Sequence, residues 1–294
     1  MALNLLRNQM MISEYYYETN LGNGGFYMFY AEALELYANV HTQAQKVVND
    51  FQKMSADPYL NDMDNEVDDS MITQKVDLGI LEIPVRQIVG VASTYPDMEY
   101  THDFKPLAQT NSEFAESWCQ LYLEYLSDRG LTEPIECIEY LGRFYVVDGK
   151  KRVSVLKAHG ELRVNAHVTR WVPERSSDVQ VKQYYDFLNY FPMTGLYQVF
   201  LSDAADFQYL QKAMGLAPEQ VWTDTDRYHF MFTFISVERA HLELFGEYAS
   251  VTAADTFVAL LKKYSFSQLR AIQPWDLVKV IAEVMHFNPN KTAA

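Results

Sequence analysis

The sequence predicts an α+β fold: a mixed-sheet module in mid-chain, a long amphipathic helix before it and a mainly α-helical region after it. Three observations carry this. Between Val76 and Arg170, short alternating apolar runs trade places with helical spacing in the order β, α, ββ, α, β. Upstream, Phe29, Ala33, Leu36, Tyr37, Val40, Ala44, Val47, Val48 and Phe51 share one face of a helix from about Tyr27 to Lys53. Downstream of Ser177, helical spacing recurs segment after segment. The expected organisation is an N-terminal helical segment with an acidic linker over residues 1–70, a mixed-sheet domain over 76–172 and a helical domain over 177–290.

Composition sets the outer limits. A chain of 294 residues that is 49% hydrophobic and 14% aromatic can bury a substantial core. The net charge of -15 argues against a protein that coats DNA or anionic lipid through bulk charge, though it leaves room for a local basic patch. Cys119 and Cys137 lack metal or redox spacing, so both are expected as reduced, buried apolar residues of a cytoplasmic protein. No apolar run approaches the ~20 residues of a membrane-spanning helix, and none is expected.

Taken in order, the chain opens with Glu14-Tyr-Tyr-Tyr17 and a Gly22-Asn-Gly-Gly25 cluster that reads as a loop; the Gly-Lys-Ser/Thr of a P-loop is absent. The Tyr27 helix needs something to cover its apolar face, either this chain's core or a partner helix. Residues 55–70 carry Asp57, Asp62, Asp64, Glu66, Asp68 and Asp69 with no Lys or Arg among them, and read as a solvated linker. The glycine of a calcium-binding loop is missing there. Leu81 to Val89 reads as one strand, Ala92 to Leu107 as irregular chain containing Tyr95-Pro96, and Ser112 to Arg129 as a helix capped by Asn111 or Ser112. Ile135–Tyr140 and Phe144–Val147 form a hairpin around Leu141-Gly-Arg143, and Leu162–Val168 is the last strand. In the tail, helices are expected at about Val179–Tyr190, Ala204–Met214, Asp224–Phe245, Ala253–Lys263 and Pro274–Met285, with Thr223 and Thr252 as N-caps. Tyr197–Leu201 reads as a short strand. The Asp224 helix is apolar nearly all round, so it is either fully buried or covered by another subunit.

The richest stretch is Tyr145-Val-Val-Asp-Gly-Lys-Lys-Arg-Val-Ser-Val-Leu-Lys-Ala-His-Gly160. A strand ends, Asp148-Gly149 turns the chain, and a short helix begins that Gly160 stops. Lys150, Lys151 and Arg152 thus open a helix, where free N–H groups and the dipole already favour an anion. From Asp148 to Arg175 seven Lys and Arg face three Asp and Glu, a local +4 that leaves -19 for the rest of a chain at -15. Arg152 is the best single candidate, because a guanidinium grips phosphate in a bidentate way. Asp148 and, if it points toward the turn, Glu136 are the candidate acids or bases. Glu-x-x-His spacing occurs at Glu99/His102, Glu238/His241 and Glu283/His286, but the first falls in a loop, and no metal site is assigned. No Gly-x-Ser-x-Gly element is present, and Ser154 reads as part of an ordinary helical turn.

Ile83-Pro-Val-Arg-Gln-Ile-Val89, Asp103-Phe104, Pro134-Ile-Glu136 and the Tyr145–Gly160 stretch together resemble the ParB/sulfiredoxin superfamily, nearest to bacterial ParB N-terminal-like proteins with an Asp-Gly-His-His-Arg-Val-Ser-Val pattern. The resemblance covers about Val76 to Arg170, one third of the chain. It implies a ParB/sulfiredoxin-like mixed sheet and a nucleotide-phosphate site at Asp148, Gly149, Lys150, Lys151 and Arg152, taking CTP or ATP with Mg²⁺. Members of the superfamily include partition CTPases, sulfinic-acid reductases and free-serine kinases. Lys150 stands where sulfiredoxins carry their reactive cysteine, and Lys150-Lys151 replace the histidine pair of the kinase-like members. The expected function is therefore nucleotide-phosphate binding, with a regulatory role. The alternatives are an ATP-dependent small-molecule phosphotransferase and an interaction scaffold or homodimer with an idle nucleotide site. A DNA-binding partition role comes last, since the tail shows no helix-turn-helix and is acidic.

Overall fold

The computed structural model describes residues 23–92, 98–127, 130–246 and 251–286. The Glu14–Tyr17 run, Gly22, Tyr95-Pro96 and Arg129 lie outside them. Ten α-helices and a six-stranded mixed sheet are present among the described residues. The chain divides into two compact units, one of residues 1–71, 75–139 and 143–171, the other of 72–74, 140–142 and 172–294. The N-terminal helix shares a unit with most of the sheet.

In the first unit, α1 (Asn23–Lys53) lays its apolar stripe on α3 (Glu113–Leu126). Ala33 and Tyr37 meet Ala115, Trp118, Cys119 and Leu123, with Val155 beneath. Small residues let the helices approach; the Tyr37 and Trp118 rings then meet edge to face at 5.3 Å, a geometry their quadrupoles favour. The stripe is therefore covered by this chain's own core. Asn23, Gly24 and Gly25 are helical rather than a loop, at a propensity cost of about 1 kcal/mol per glycine that the long helix absorbs. Ser112 caps α3 by accepting from the Ala115 N–H, and Gly130 follows with φ of 60°.

The sheet runs in the order β1-β3-β5-β4-β6-β2. Its members are β1 (Asn61–Asp62), β2 (Ile72–Pro84), β3 (Ile88–Val91), β4 (Ile135–Tyr140), β5 (Arg143–Asp148) and β6 (Arg163–Pro173). β1 is parallel to β3, β3 to β5 and β4 to β6. β4 and β5 form the expected hairpin, with Leu141 at φ 52° and Gly142 at φ 77°. The expected single strand Leu81–Val89 is instead two. Pro84 has no N–H to give a ladder, so β2 ends there, a turn of 3₁₀ helix spans Val85–Gln87, and β3 joins the far side of the sheet.

The acidic stretch is not a free linker either. Leu60, Met63 and Val67 are buried, and the segment supplies edge strand β1 and a short helix, α2 (Met63–Glu66). Its Glu66 accepts hydrogen bonds from Asn61 and from the buried Tyr145 hydroxyl. Three apolar anchors outweigh a run of acids that remain at the surface.

In the second unit six helices follow: α5 (Val179–Thr194), α6 (Ala205–Ala213), α7 (Asp224–Phe245), α8 (Ala253–Leu261), α9 (Phe266–Ala271) and α10 (Pro274–Val284). Thr223 and Thr252 cap α7 and α8 in full capping boxes with Asp226 and Asp255. The core is aromatic: Phe187, Tyr190, Phe230, Phe234 and Phe257 are buried. Tyr197–Leu201 is buried but is not a strand; the Leu201 N–H is satisfied by the Tyr190 hydroxyl at 3.0 Å, and Val199 bonds back to Leu196. On α7, Phe230, Met231 and Phe234 face inward while Tyr228 and Phe232 are exposed.

Candidate functional site

The corner between β5 and α4 (Lys150–His159) is built from the strand outward. Phe144, Tyr145 and Val146 anchor β5 in the core. The chain then turns at Gly149, with φ of 102°, a conformation that side chains resist. A Cβ there would lie 2.7 Å from Ile135 Cγ2 and 3.1 Å from Arg152 Nε, so only glycine fits between the strand and the guanidinium. Gly149 is also the N-cap of α4 and carries no side chain to cap it, and the first turn has no acidic residue. Val153, Val155 and Leu156 are buried, Val155 within the α1–α3 core, and Gly160 closes the helix at φ 85°.

Arg152 is tightly placed. Its Nη1 donates to the Glu133 and Pro134 carbonyls, each at 2.9 Å, and its Nη2 donates to Asp148 Oδ2 at 2.6 Å. The Glu133 carboxylate stands 3.7 Å away. The arginine side chain is 14% exposed and that of Asp148 70%, so the guanidinium is fixed by protein and the carboxylate is at the solvent edge. Lys151 turns elsewhere: its Nζ donates to Ser117 Oγ at 2.6 Å and lies 4.7 Å from the Phe114 ring centre. Burial lowers the pKa of its amine below the ordinary lysine value, opposed by the nearby Glu99. Lys157, nearly two turns on, donates to the Ile88 carbonyl at 3.0 Å. Lys150 is half-buried.

The structure thus brings Asp148, Gly149 and Arg152 together and sends Lys151 to a different neighbour. The three cations do not converge on one point. Glu136 is not at the corner: Ile135 faces Gly149, so the next residue on the strand faces the opposite side, exposed and in register with His167. Ser154 is explained by the core, where it accepts from Trp118 Nε1 at 2.9 Å.

Beside the corner lies a cleft of about 250 Å³. Arg152, Leu156, Ile135, Tyr125, Glu161 and Arg163 line it. Arg163 is paired with Glu82 at 3.0 Å, and the Tyr125 hydroxyl donates to Glu161. Ligand sites usually exceed about 300 Å³, so this cleft is the size for part of a ligand.

The remaining candidates fall apart chemically. Cys119 and Cys137 are free and buried, and burial pushes both thiols up to about 12, far from thiolate reactivity. Of the Glu-x-x-His pairs, His102 stacks on Phe51 at 4.6 Å, His241 is buried against Thr256 Oγ1 at 2.9 Å, and His286 follows the end of α10. Among the described residues, no group of three or more His, Cys, Asp or Glu is placed to hold a metal ion. Nor is any described helix long and apolar enough to cross a membrane. Ser117 and the Glu133–Pro134 carbonyls were not singled out by sequence; they lie 34 and 18–19 residues from their partners, and no local pattern marks them. No family model matches the chain, and no curated protein matches it.

Proposed function

We propose that the chain binds a nucleotide through its phosphates at the β5–α4 corner, in a ParB/sulfiredoxin-like module with a regulatory role. The supporting observation is Gly149: a left-handed residue, with no room for a side chain, opening a helix that has neither a side-chain cap nor an acid in its first turn. Such a terminus stabilises an anion by about 0.3–1 kcal/mol through the dipole alone, and up to about 2 kcal/mol when partly buried.

Arg152 supplies the specific contact. Its Nη1 keeps the two carbonyls and fixes the guanidinium plane, while a phosphate oxygen replaces Asp148 on Nη2. The bond given up is to an exposed carboxylate, so little is lost. Once released, Asp148 is an oxygen ligand suited to the Mg²⁺ that accompanies CTP or ATP. The adjacent cleft offers apolar side chains and acceptors to one portion of the nucleoside. With Glu136 on the other face, Asp148 is the one sequence-selected acid left at the corner, which favours binding over phosphotransfer. The second reading, a scaffold with an idle site, draws on the protein's own groups already occupying Lys151 and Arg152.

Thermal unfolding with CTP, ATP and GTP, with and without Mg²⁺, separates the two. A nucleotide at ~100 times its Kd adds about 2.7 kcal/mol of stability. The shift is expected for wild type, is lost in Arg152→Ala, and is retained without Mg²⁺ in Asp148→Asn, where the competing carboxylate is gone. No shift with any nucleotide leaves the scaffold.

A further inference from the structure

Lys151 Nζ, at the second position of α4, donates to the Ser117 hydroxyl of α3. We infer that Ser117 and Lys151 form a nucleophile–base pair able to accept an acyl group from a small activated ester or thioester. The inference stands apart from the nucleotide reading, which uses Gly149, Arg152 and Asp148.

Four observations support it. Ser117 Oγ and Lys151 Nζ are 2.6 Å apart, within reach for direct proton transfer. Both residues are half-buried, so the pair is neither sealed in the core nor fully solvated. The two helices that carry them are locked in register by the buried Trp118–Ser154 hydrogen bond at 2.9 Å, one residue beyond Ser117 and three beyond Lys151. The pair is therefore preorganised rather than assembled by chance rotamers. Finally, burial of the lysine raises the share of neutral amine, the form that can act as base, although Glu99 and the Phe114 ring at 4.7 Å favour the charged form. In the resting state Ser117 donates to the Phe114 carbonyl at 2.9 Å and accepts from the ammonium; deprotonation of Lys151 reverses the direction of the 2.6 Å bond.

The chemistry balances without a cofactor. Ser117 Oγ bonds to the carbonyl carbon as its proton passes to Lys151 Nζ. The tetrahedral oxyanion collapses, the carbon–oxygen or carbon–sulfur bond of the substrate breaks, and the leaving alkoxide or thiolate takes the proton from the ammonium. Water then cleaves acyl-Ser117 by the same route.

A fluorophosphonate probe tests the pair on the full chain: Ser117 Oγ bonds to phosphorus, fluoride leaves, and Lys151 takes the proton. Intact mass and peptide mapping are followed between about pH 6 and pH 10. One adduct is expected, on Ser117, with a rate that levels off below the pH at which an ordinary lysine titrates. Ser117→Ala loses the adduct, Ser127→Ala keeps it, and Lys151→Met slows it by about 100-fold or more. Lys151→Arg retains the charge and the bond to Ser117, and is expected to melt like wild type yet stay unlabelled. Absence of an adduct on folded wild type overturns the inference. So does an adduct that survives Ser117→Ala, or a rate unchanged in both Lys151 variants.

Discussion

Gly149 and Gly160 bracket α4 and separate two physical effects at the scale of single residues. Both have positive φ, 102° and 85°, so alanine is strained at either. At Gly160 nothing lies within 4 Å of the added carbon, whereas at Gly149 it meets Ile135 Cγ2 at 2.7 Å. Gly160→Ala is expected to destabilise by about 1 kcal/mol and Gly149→Ala by about 2–4 kcal/mol in urea unfolding, the excess being steric. Equal losses would mean that the corner is looser than this geometry. Both glycines were legible in the sequence because turn chemistry is local. The destinations of the basic side chains were not. Spacing says that Lys151 and Arg152 open a helix, but which carbonyl or hydroxyl each meets depends on α3 and on the residues just before β4, distant in the chain.

At the scale of elements, the capping threonines make a matched pair. Among the described residues Asp226 accepts hydrogen bonds from Thr223 alone, whereas Asp255 accepts from Thr252 and also from the Ser202 N–H at 2.8 Å and hydroxyl at 2.7 Å. Thr252 in turn donates to the Phe200 carbonyl at 2.8 Å. Asp226→Ala is expected to cost about 1 kcal/mol and Asp255→Ala about 2–3 kcal/mol, because the latter also frees the 197–202 segment. Denaturant titration of the two variants checks the order. The caps, the hairpin and most helices could be read from periodicity and cap residues. The misreadings share one cause: alternation and charge report burial, not pairing. Tyr197–Leu201 has a strand's burial pattern, but its N–H groups go to a tyrosine hydroxyl and a turn. Leu81–Val89 has apolar residues recurring along its length, but Pro84 divides it between two sides of the sheet. The acidic stretch looked solvated because six acids outnumber its three buried apolar anchors, Leu60, Met63 and Val67.

Across the whole molecule, a chain of net charge -15 repels polyanions at long range, yet its Asp148–Arg175 segment carries seven cations against three acids. Such a distribution suits a small anion held at close quarters better than a duplex tracked over many phosphates. Much of the local positive charge is paired: Arg152 with Asp148, Arg163 with Glu82, and Arg170 with the buried Glu139 at 2.5 Å. On the proposed reading, what the corner presents to a ligand is a helix terminus and one exchangeable guanidinium face, a narrower site than the sequence alone suggests. Backbone amide shifts during titration with CTP or ATP and Mg²⁺ test this most directly. The largest shifts are expected at Gly149, Lys150, Lys151 and Arg152, moving together to one saturation point and lost on Arg152→Ala; saturation that leaves these four amides unmoved while others shift, or no shift at all, would contradict the assignment.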